Sequence, residues 1–233
     1  MLALLYDIHG NLPALEAVLA DAERAGAEGY LLGGDLTLFG AWPLETLERL
    51  DALADARWIR GNGERWTAAP SEAPDSGLVQ GAIRDCAEAL GAQRVTELAE
   101  LPEQALVDGT RFCHGSPVSD VRSFFPTPGE DEQELLAGVR EARLVFGHTH
   151  LAFKRSAVVD GREVELVNPG SVGMPFDGDP RAAYALLAPD DDRVEHRRVE
   201  YDHSAAAVAV RERFGGWAET VARRVEAARA DVD

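Results

Sequence analysis

A chain of 233 residues and 25.2 kDa, 45% hydrophobic and 27% charged, is long enough to bury a sizeable core and has none of the compositional bias of a disordered protein. A formal charge of −18 repels polyanions from most of the surface, which argues against general binding to DNA or RNA. Cys86 and Cys113 form no CxxC pair, and the apolar start, Met1 to Tyr6, is broken by Asp7 and His9. The expectation is a cytoplasmic protein, neither secreted nor inserted in a membrane.

Leu2 to Tyr6 is an apolar run ending at Asp7-Ile8-His9-Gly10-Asn11, the pattern of a buried strand that delivers polar residues at its carboxyl end. Asn11 suits the cap of a following helix and Pro13 its first turn, while Leu15, Val18, Leu19 and Ala22 recur at helical spacing until Gly26. Tyr30-Leu31-Leu32 then leads into Gly33-Gly34-Asp35. A helix is expected through Leu44, Leu47, Leu50 and Leu53, and Trp58-Ile59-Arg60 runs into Gly61-Asn62. This β-α-β-α-β order predicts parallel strands joined by right-handed crossovers.

Residues 64–109 read as a helical excursion over the site, with patterns around Val79 to Leu90 and Arg94 to Leu101. Arg111-Phe112-Cys113 predicts a strand carrying His114. A loop through Phe124, Phe125 and Pro126 leads to a helix near Asp131 to Glu141, and Leu144-Val145-Phe146 predicts a strand into Gly147-His148-Thr149-His150. Antiparallel strands are expected beyond, with hairpin signals at Asp160-Gly161 and Asp190-Asp191-Asp192. A C-terminal helix is expected at about 204–230, with an interruption at Gly215-Gly216. No repeat or linker divides the chain, so residues 1–233 are expected to form a single α/β domain.

Each predicted strand ends in residues able to bind a metal, and ligands of open α/β sheets bind at the carboxyl ends of strands. Asp7 and His9 are two residues apart, as are His148 and His150, so extended backbone would aim both members of each pair the same way. Asp35 has two oxygens with which to bridge ions, Asn62 offers a carbonyl oxygen and His114 an imidazole nitrogen. Mixed imidazole and carboxylate donors suit manganese, iron, cobalt, nickel or zinc rather than magnesium or calcium, and manganese is the expected choice. Two divalent ions roughly 3.5–4 Å apart can hold a hydroxide as nucleophile, and then no protein nucleophile is required. They would also make the pocket positive enough for a small phosphate ester.

Taken singly, these residues have ordinary readings: Asp7 as a strand terminator, Asp35 as a turn residue, Asn62 as a left-handed turn between two glycines. Together they do not, because four of the six histidines fall in these segments, all after apolar runs. His196 and His203 lie outside them and read as ordinary histidines.

In this order Asp7-Ile8-His9, Gly34-Asp35, Gly61-Asn62-Gly63-Glu64, His114 and Gly147-His148-Thr149-His150 resemble the blocks of the calcineurin-like metallophosphoesterase superfamily. With Asn168-Pro169-Gly170-Ser171-Val172-Gly173, they look like its small bacterial and archaeal phosphodiesterase branch, over roughly residues 1–190. The resemblance implies a four-layer α-β-β-α sandwich of two mixed sheets flanked by helices. It also implies that Asp7, His9, Asp35 and His150 bind one metal and Asp35, Asn62, His114 and His148 the other.

Gly63 departs from the family pattern, in which many members carry a histidine there as leaving-group acid. A phosphodiester or aryl ester with a good leaving group needs that acid least, and a Gly63→His change is expected to raise monoesterase activity. Glu64 has two readings: a carboxylate that orients a ligand, or a solvated group at a helix start. Asn11, Arg181, Trp66, Phe124, Phe125 and Phe176 each have a structural reading as good as a functional one.

The expected function is dinuclear-metal-dependent hydrolysis of a small or nucleotide-type phosphodiester. The alternatives are a phosphomonoesterase, including a protein Ser/Thr phosphatase, and a non-catalytic scaffold on the same fold, as the phosphoesterase-like subunit of the retromer complex looks to be. The complete ligand set favours catalysis. The expected partner is the small ester alone, with no membrane contact.

Overall fold

In the computed structural model, strand β1 (Leu2–Leu5) turns Leu4 to one side and Ala3 and Leu5 to the other, and this alternation sets the layers of the molecule. The structure describes residues 1–188 and 193–232. Helix α1 (Leu12–Arg24), β2 (Gly29–Leu32), α2 (Pro43–Asp51) and β3 (Ala56–Trp58) complete a β-α-β-α-β unit of parallel strands, with Leu2 opposite Gly29 and Tyr30 opposite Ala56. Next come α3 (Asn62–Ala68), a 3₁₀ turn (Pro70–Glu72) and α4 (Gly77–Ala99), which bends at Gly91. The second half contains β4 (Gln104–Val107), β5 (Thr110–Cys113), the single-turn α5 (Glu132–Leu135), β6 (Arg143–Val145), β7 (Phe153–Val159) and β8 (Arg162–Asn168). Strands β9 (Ala182–Leu187) and β10 (Val194–Val199) and helices α6 (His203–Arg213) and α7 (Ala218–Ala227) follow.

Two mixed five-stranded sheets result, β10-β9-β1-β2-β3 and β4-β5-β6-β8-β7. Leu4, Tyr6, Leu31, Phe112, Val145 and Val167 fill the space between them. The outer face of the first sheet, including Leu5, Leu32 and Tyr184, is buried under α1, α2, α4, α6 and α7. That of the second, including Leu144, Phe146 and Leu166, is covered by Phe124, Leu135, Leu136 and Val139, from α5 and the loops around it. The four layers are present, and the second helical layer is reduced to one turn and loop. No helix among the described residues is long and apolar enough to cross a membrane.

Several element boundaries differ from those expected. Strand β3 ends at Trp58, although Ile59 still donates its N–H to Leu32 O at 2.8 Å. The helical stretch expected over 64–109 runs from Asn62 to Ala99, and residues 104–107 instead form β4. Asp108-Gly109, both at positive φ, turns β4 into β5 with the same hairpin chemistry that Asp160-Gly161 supplies between β7 and β8. The helix expected near Asp131 to Glu141 is one turn, with Gly138 at φ +78° beyond it. The C-terminal helix is two, parted around Gly215-Gly216. The Asp190-Asp191-Asp192 signal lies outside the described residues, and the strands on either side pair antiparallel, Leu187 opposite Val194.

Candidate metal centre

The carboxyl ends of β1, β2, β5 and β6 meet at one edge of the crevice between the sheets, and backbone hydrogen bonds lace their loops together. Asp7 N–H donates to Gly34 O at 3.1 Å, His9 N–H to Asp35 O at 2.9 Å, and Gly147 N–H to His114 O at 2.7 Å. The two-residue pairs are aligned by something other than extended strand. Strands β1 and β6 stop at Leu5 and Val145, and Asp7, His9, His148 and His150 have φ of +53°, +50°, +67° and +57°. Asp35 shares this left-handed conformation at +53°. Such backbone costs about 1–2 kcal/mol per residue with a Cβ, so five cases at one edge are strain retained where the side chains must converge.

All seven candidate residues come together there. Asp7, His9 and His150 bring one ligand atom each within 4.8 Å of one another, and so do Asp7, Asp35 and His114. Asp35 spans both groups, with Oδ2 at 3.9 Å from His9 Nε2 and Oδ1 at 3.4 Å from His114 Nε2. Asp7 is shared as well: its Oδ1 lies 3.4 Å from His150 Nε2 and 3.9 Å from His114 Nε2. Its Oδ2 accepts from His148 N–H at 3.0 Å, whereas the buried Oδ1 has no hydrogen-bond donor.

The imidazoles are aimed by the main chain. Nδ1 of His9 lies 2.8 Å from Leu38 O, that of His114 2.9 Å from Gly33 O, and that of His150 2.6 Å from Met174 O. A carbonyl can only accept, so each Nδ1 carries a proton and each Nε2 is turned toward the centre. Burial and the neighbouring His150 push His9 down to about 4, and burial and His114 do the same to His148, which keeps both rings neutral and able to bind metal. Burial pushes Asp7 upward, yet its interactions with His150 and His114 hold its carboxyl well below the usual range.

These donors fit divalent cations. His9 and His150 face each other Nε2 to Nε2 at 3.1 Å, two ligand nitrogens aimed at one point. One amide atom of Asn62 points at His114 Nε2 (3.0 Å), His148 Nδ1 (2.9 Å) and Asp120 O (3.1 Å); its nitrogen there donates to them, and its oxygen there would need a cation among them. Buried acceptors so crowded are unfavourable unless a donor or cation lies among them.

Glu64 is buried, and the reading as a solvated carboxylate falls with that. Its oxygens accept from the N–H groups of Asp35 (2.9 Å), Leu36 (2.8 Å) and Gly61 (2.8 Å), clamping the Asp35 and Asn62 loops together. Gly63 packs closely against the same carboxylate that Glu64 helps to place, that of Asp35. Its N–H donates to Asp35 Oδ1 at 2.7 Å, and a Cβ at position 63 would lie 2.9 Å from that oxygen. A histidine there would oblige the Asp35 carboxylate to shift, which weighs against the expectation that it would add activity.

Sequence reasoning missed further supports. Phe176 stacks on His150, ring centroids 4.4 Å apart and planes 14° from parallel. In the Asn168–Gly173 run, Ser171 Oγ donates to Asp7 O at 2.7 Å and Asn168 Nδ2 to Gly147 O at 3.1 Å. Asn11 caps α1 and donates to Gly173 O and to the Tyr201 hydroxyl, a structural role. Arg181 is held by Asp179 in its own turn. His196 sits 2.8 Å from Asn168 O, away from the centre. A cavity of about 390 Å³ opens beside His114 and another of about 350 Å³ beside His148.

Facing mixed sheets whose strand ends gather carboxylates, imidazoles and an amide define a metal-dependent phosphoesterase. The chain belongs to the calcineurin-like phosphoesterase superfamily, whose profile matches residues 1–192. An uncharacterized protein of Methanocaldococcus jannaschii is 29% identical over 93% of this chain and 95% of its own length. The crystal structure of a metallophosphoesterase from Sphaerobacter thermophilus superposes with a TM-score of 0.81 at 27% identity, over 97% of this chain and 99% of that one. A hypothetical protein of Pyrococcus horikoshii has the same fold, with a TM-score of 0.81 at 21% identity over 95% of this chain and 98% of its own.

Proposed function

We propose that this phosphoesterase hydrolyses a small phosphodiester with two divalent transition-metal ions, manganese first among them and iron, cobalt, zinc or nickel as alternatives. Asp7, His9, Asp35 and His150 would hold one ion and Asp35, Asn62, His114 and His148 the other. The observation that carries the reading is the buried convergence of ligand atoms, His9 Nε2 against His150 Nε2 at 3.1 Å with Asp7 Oδ1 beside them and without a hydrogen-bond donor. When bound, such ions activate a water and neutralise charge on phosphoryl oxygens. The chain supplies the frame: backbone carbonyls aim three imidazoles, and Glu64 fixes the loops of Asp35 and Asn62.

The preference for a diester with a weakly basic leaving group rests on the two cavities. Among the described residues, their only histidines are His114 and His148, and their carboxylates are engaged by arginine: Glu103 by Arg60, Asp120 by Arg65, Asp131 by Arg122. Burial pushes Asp120 upward, but the Arg65 guanidinium holds its carboxyl below the usual range and makes it a poor proton donor, so we expect the substrate to leave with little help.

The test is to strip the metal, restore Mn²⁺ and compare a diester, a monoester and a phosphopeptide, with Asp35→Asn alongside. Mn²⁺-dependent turnover fastest on the diester is expected, with kcat/KM falling more than about 10²-fold in the variant. Two bound ions without turnover of any ester would favour a scaffold, and faster monoester turnover would overturn the diester reading.

A further inference from the structure

Residues 116–125 carry three of the six large hydrophobic side chains left exposed among the described residues: Val118 at 50%, Val121 at 41% and Phe125 at 53%. Scattered exposure of this kind needs no explanation, but these three occur on one segment that borders both cavities of the centre. Val118 and Val121 line the cavity beside His114. Val121 and Phe125 line the one beside His148.

Looseness of the segment does not account for the exposure. Ser119 Oγ accepts from the N–H groups of Val121 and Arg122, Asp120 is gripped twice by Arg65 at 2.7 Å, and Arg122 is paired with Asp131 and Glu134. Ser123 Oγ donates to Gly147 O at 3.2 Å. Phe124 is buried against Phe146, ring centroids 4.8 Å apart, which anchors one aromatic ring in the core beneath the second sheet. The adjacent Phe125 is sent the other way, and its carbonyl accepts from Arg155 Nε at 2.9 Å. An aromatic ring on a backbone fixed this well is a preorganised surface, which loses little freedom when something stacks on it.

The two cavities differ in chemistry. The one beside His114 sets Arg60, Arg65, Gln104, Ser116 and Ser119 around Val118 and Val121 and suits a polar substituent. The one beside His148 has an apolar wall of Phe125 and Val121, and its cation Arg122 is neutralised by two carboxylates.

We infer that Phe125, backed by Val121, is a platform for a planar apolar substituent of the substrate, an aryl group or nucleobase, and that it sets specificity on the His148 side. The inference rests on the phosphodiester reading, in which each substituent of the ester has its own cavity.

The probes are two anionic diester mimics, monomethyl phenylphosphonate and monomethyl methylphosphonate, titrated calorimetrically into the Mn²⁺-loaded protein. The phenyl compound is expected to bind about tenfold more tightly, the scale on which one stacked ring contributes. Phe125→Ala should reduce that advantage to about twofold or less, and Phe125→Tyr should retain it. Leu106→Ala, at an exposed site outside both cavities, should leave it unchanged. Equal affinity of the two probes for the unaltered protein, or a full phenyl advantage in Phe125→Ala, would overturn the platform. Because binding is read without turnover, the two readings fail separately: a phenyl advantage with no ester hydrolysed sinks the enzymatic proposal alone, and diester turnover without a phenyl advantage sinks the platform alone.

Discussion

The two ends of the β-sandwich put the same backbone conformation to different uses. At the end away from the centre, Asp55, Asp108 and Asp160 have φ of +56°, +46° and +49°, all exposed, and the latter two precede a glycine in a hairpin. Aspartate tolerates that conformation, so these are ordinary turns. At the other end Asp7, His9, Asp35 and His150 adopt it while buried, and His148 while half-buried. There the conformation is imposed by hydrogen bonds from neighbouring loops, and its product is convergence. The distinction lies in the clustering, since buried Ala228 adopts the same conformation alone, as the cap of α7, whereas these five gather at one edge.

The largest test of this contrast is Glu64→Ala, which would leave three buried N–H groups without an acceptor. A loss of about 3 kcal/mol or more is expected in urea unfolding of the metal-stripped protein, with poor Mn²⁺ retention. A loss below about 1 kcal/mol would mean that the strained loops hold themselves. Gly63→Ala comes next, at about 1–3 kcal/mol, because its Cβ presses on Asp35. Mn²⁺ affinity by calorimetry should fall with it, and a Gly63→His variant that gained monoesterase activity would contradict the packing argument. Phe176→Leu should cost about 1 kcal/mol and weaken Mn²⁺ binding a few-fold, the stability loss alone being consistent with packing unrelated to His150. The smallest effect belongs to the far end: Asp160→Gly should change stability by less than about 0.5 kcal/mol and leave Mn²⁺ affinity untouched. A change in affinity there would break the contrast.

What could be read from the sequence follows the same division. The first half was open to pattern because its apolar runs are short and bounded by Asp7, Asp35 and Asn62, so strand, helix and candidate ligand announce one another. The candidate site was legible for the same reason: histidines, six in the chain, are rare enough to stand out. Its supports were not, since Leu38, Gly33 and Met174 act through carbonyls, which every residue possesses. Phe176 stood out only as an aromatic that core packing would explain as well, because a stacked ring has the same residue type as a core ring. Strand β4 was lost to the helical stretch before it, although Asp108-Gly109 is the turn signal that betrays it. The single turn of α5 in place of a longer helix reflects packing, since Leu136 and Val139 reach the core from irregular backbone.

The three carbonyls behind the imidazoles have a consequence for how the protein matures. Their grip on Nδ1 is made of main-chain atoms that folding itself brings into place, so each Nε2 is directed before any ion arrives. If the proposed ions bind there, the socket needs no rearrangement of these three imidazoles to receive them, so metal-stripped protein should take Mn²⁺ back without being refolded.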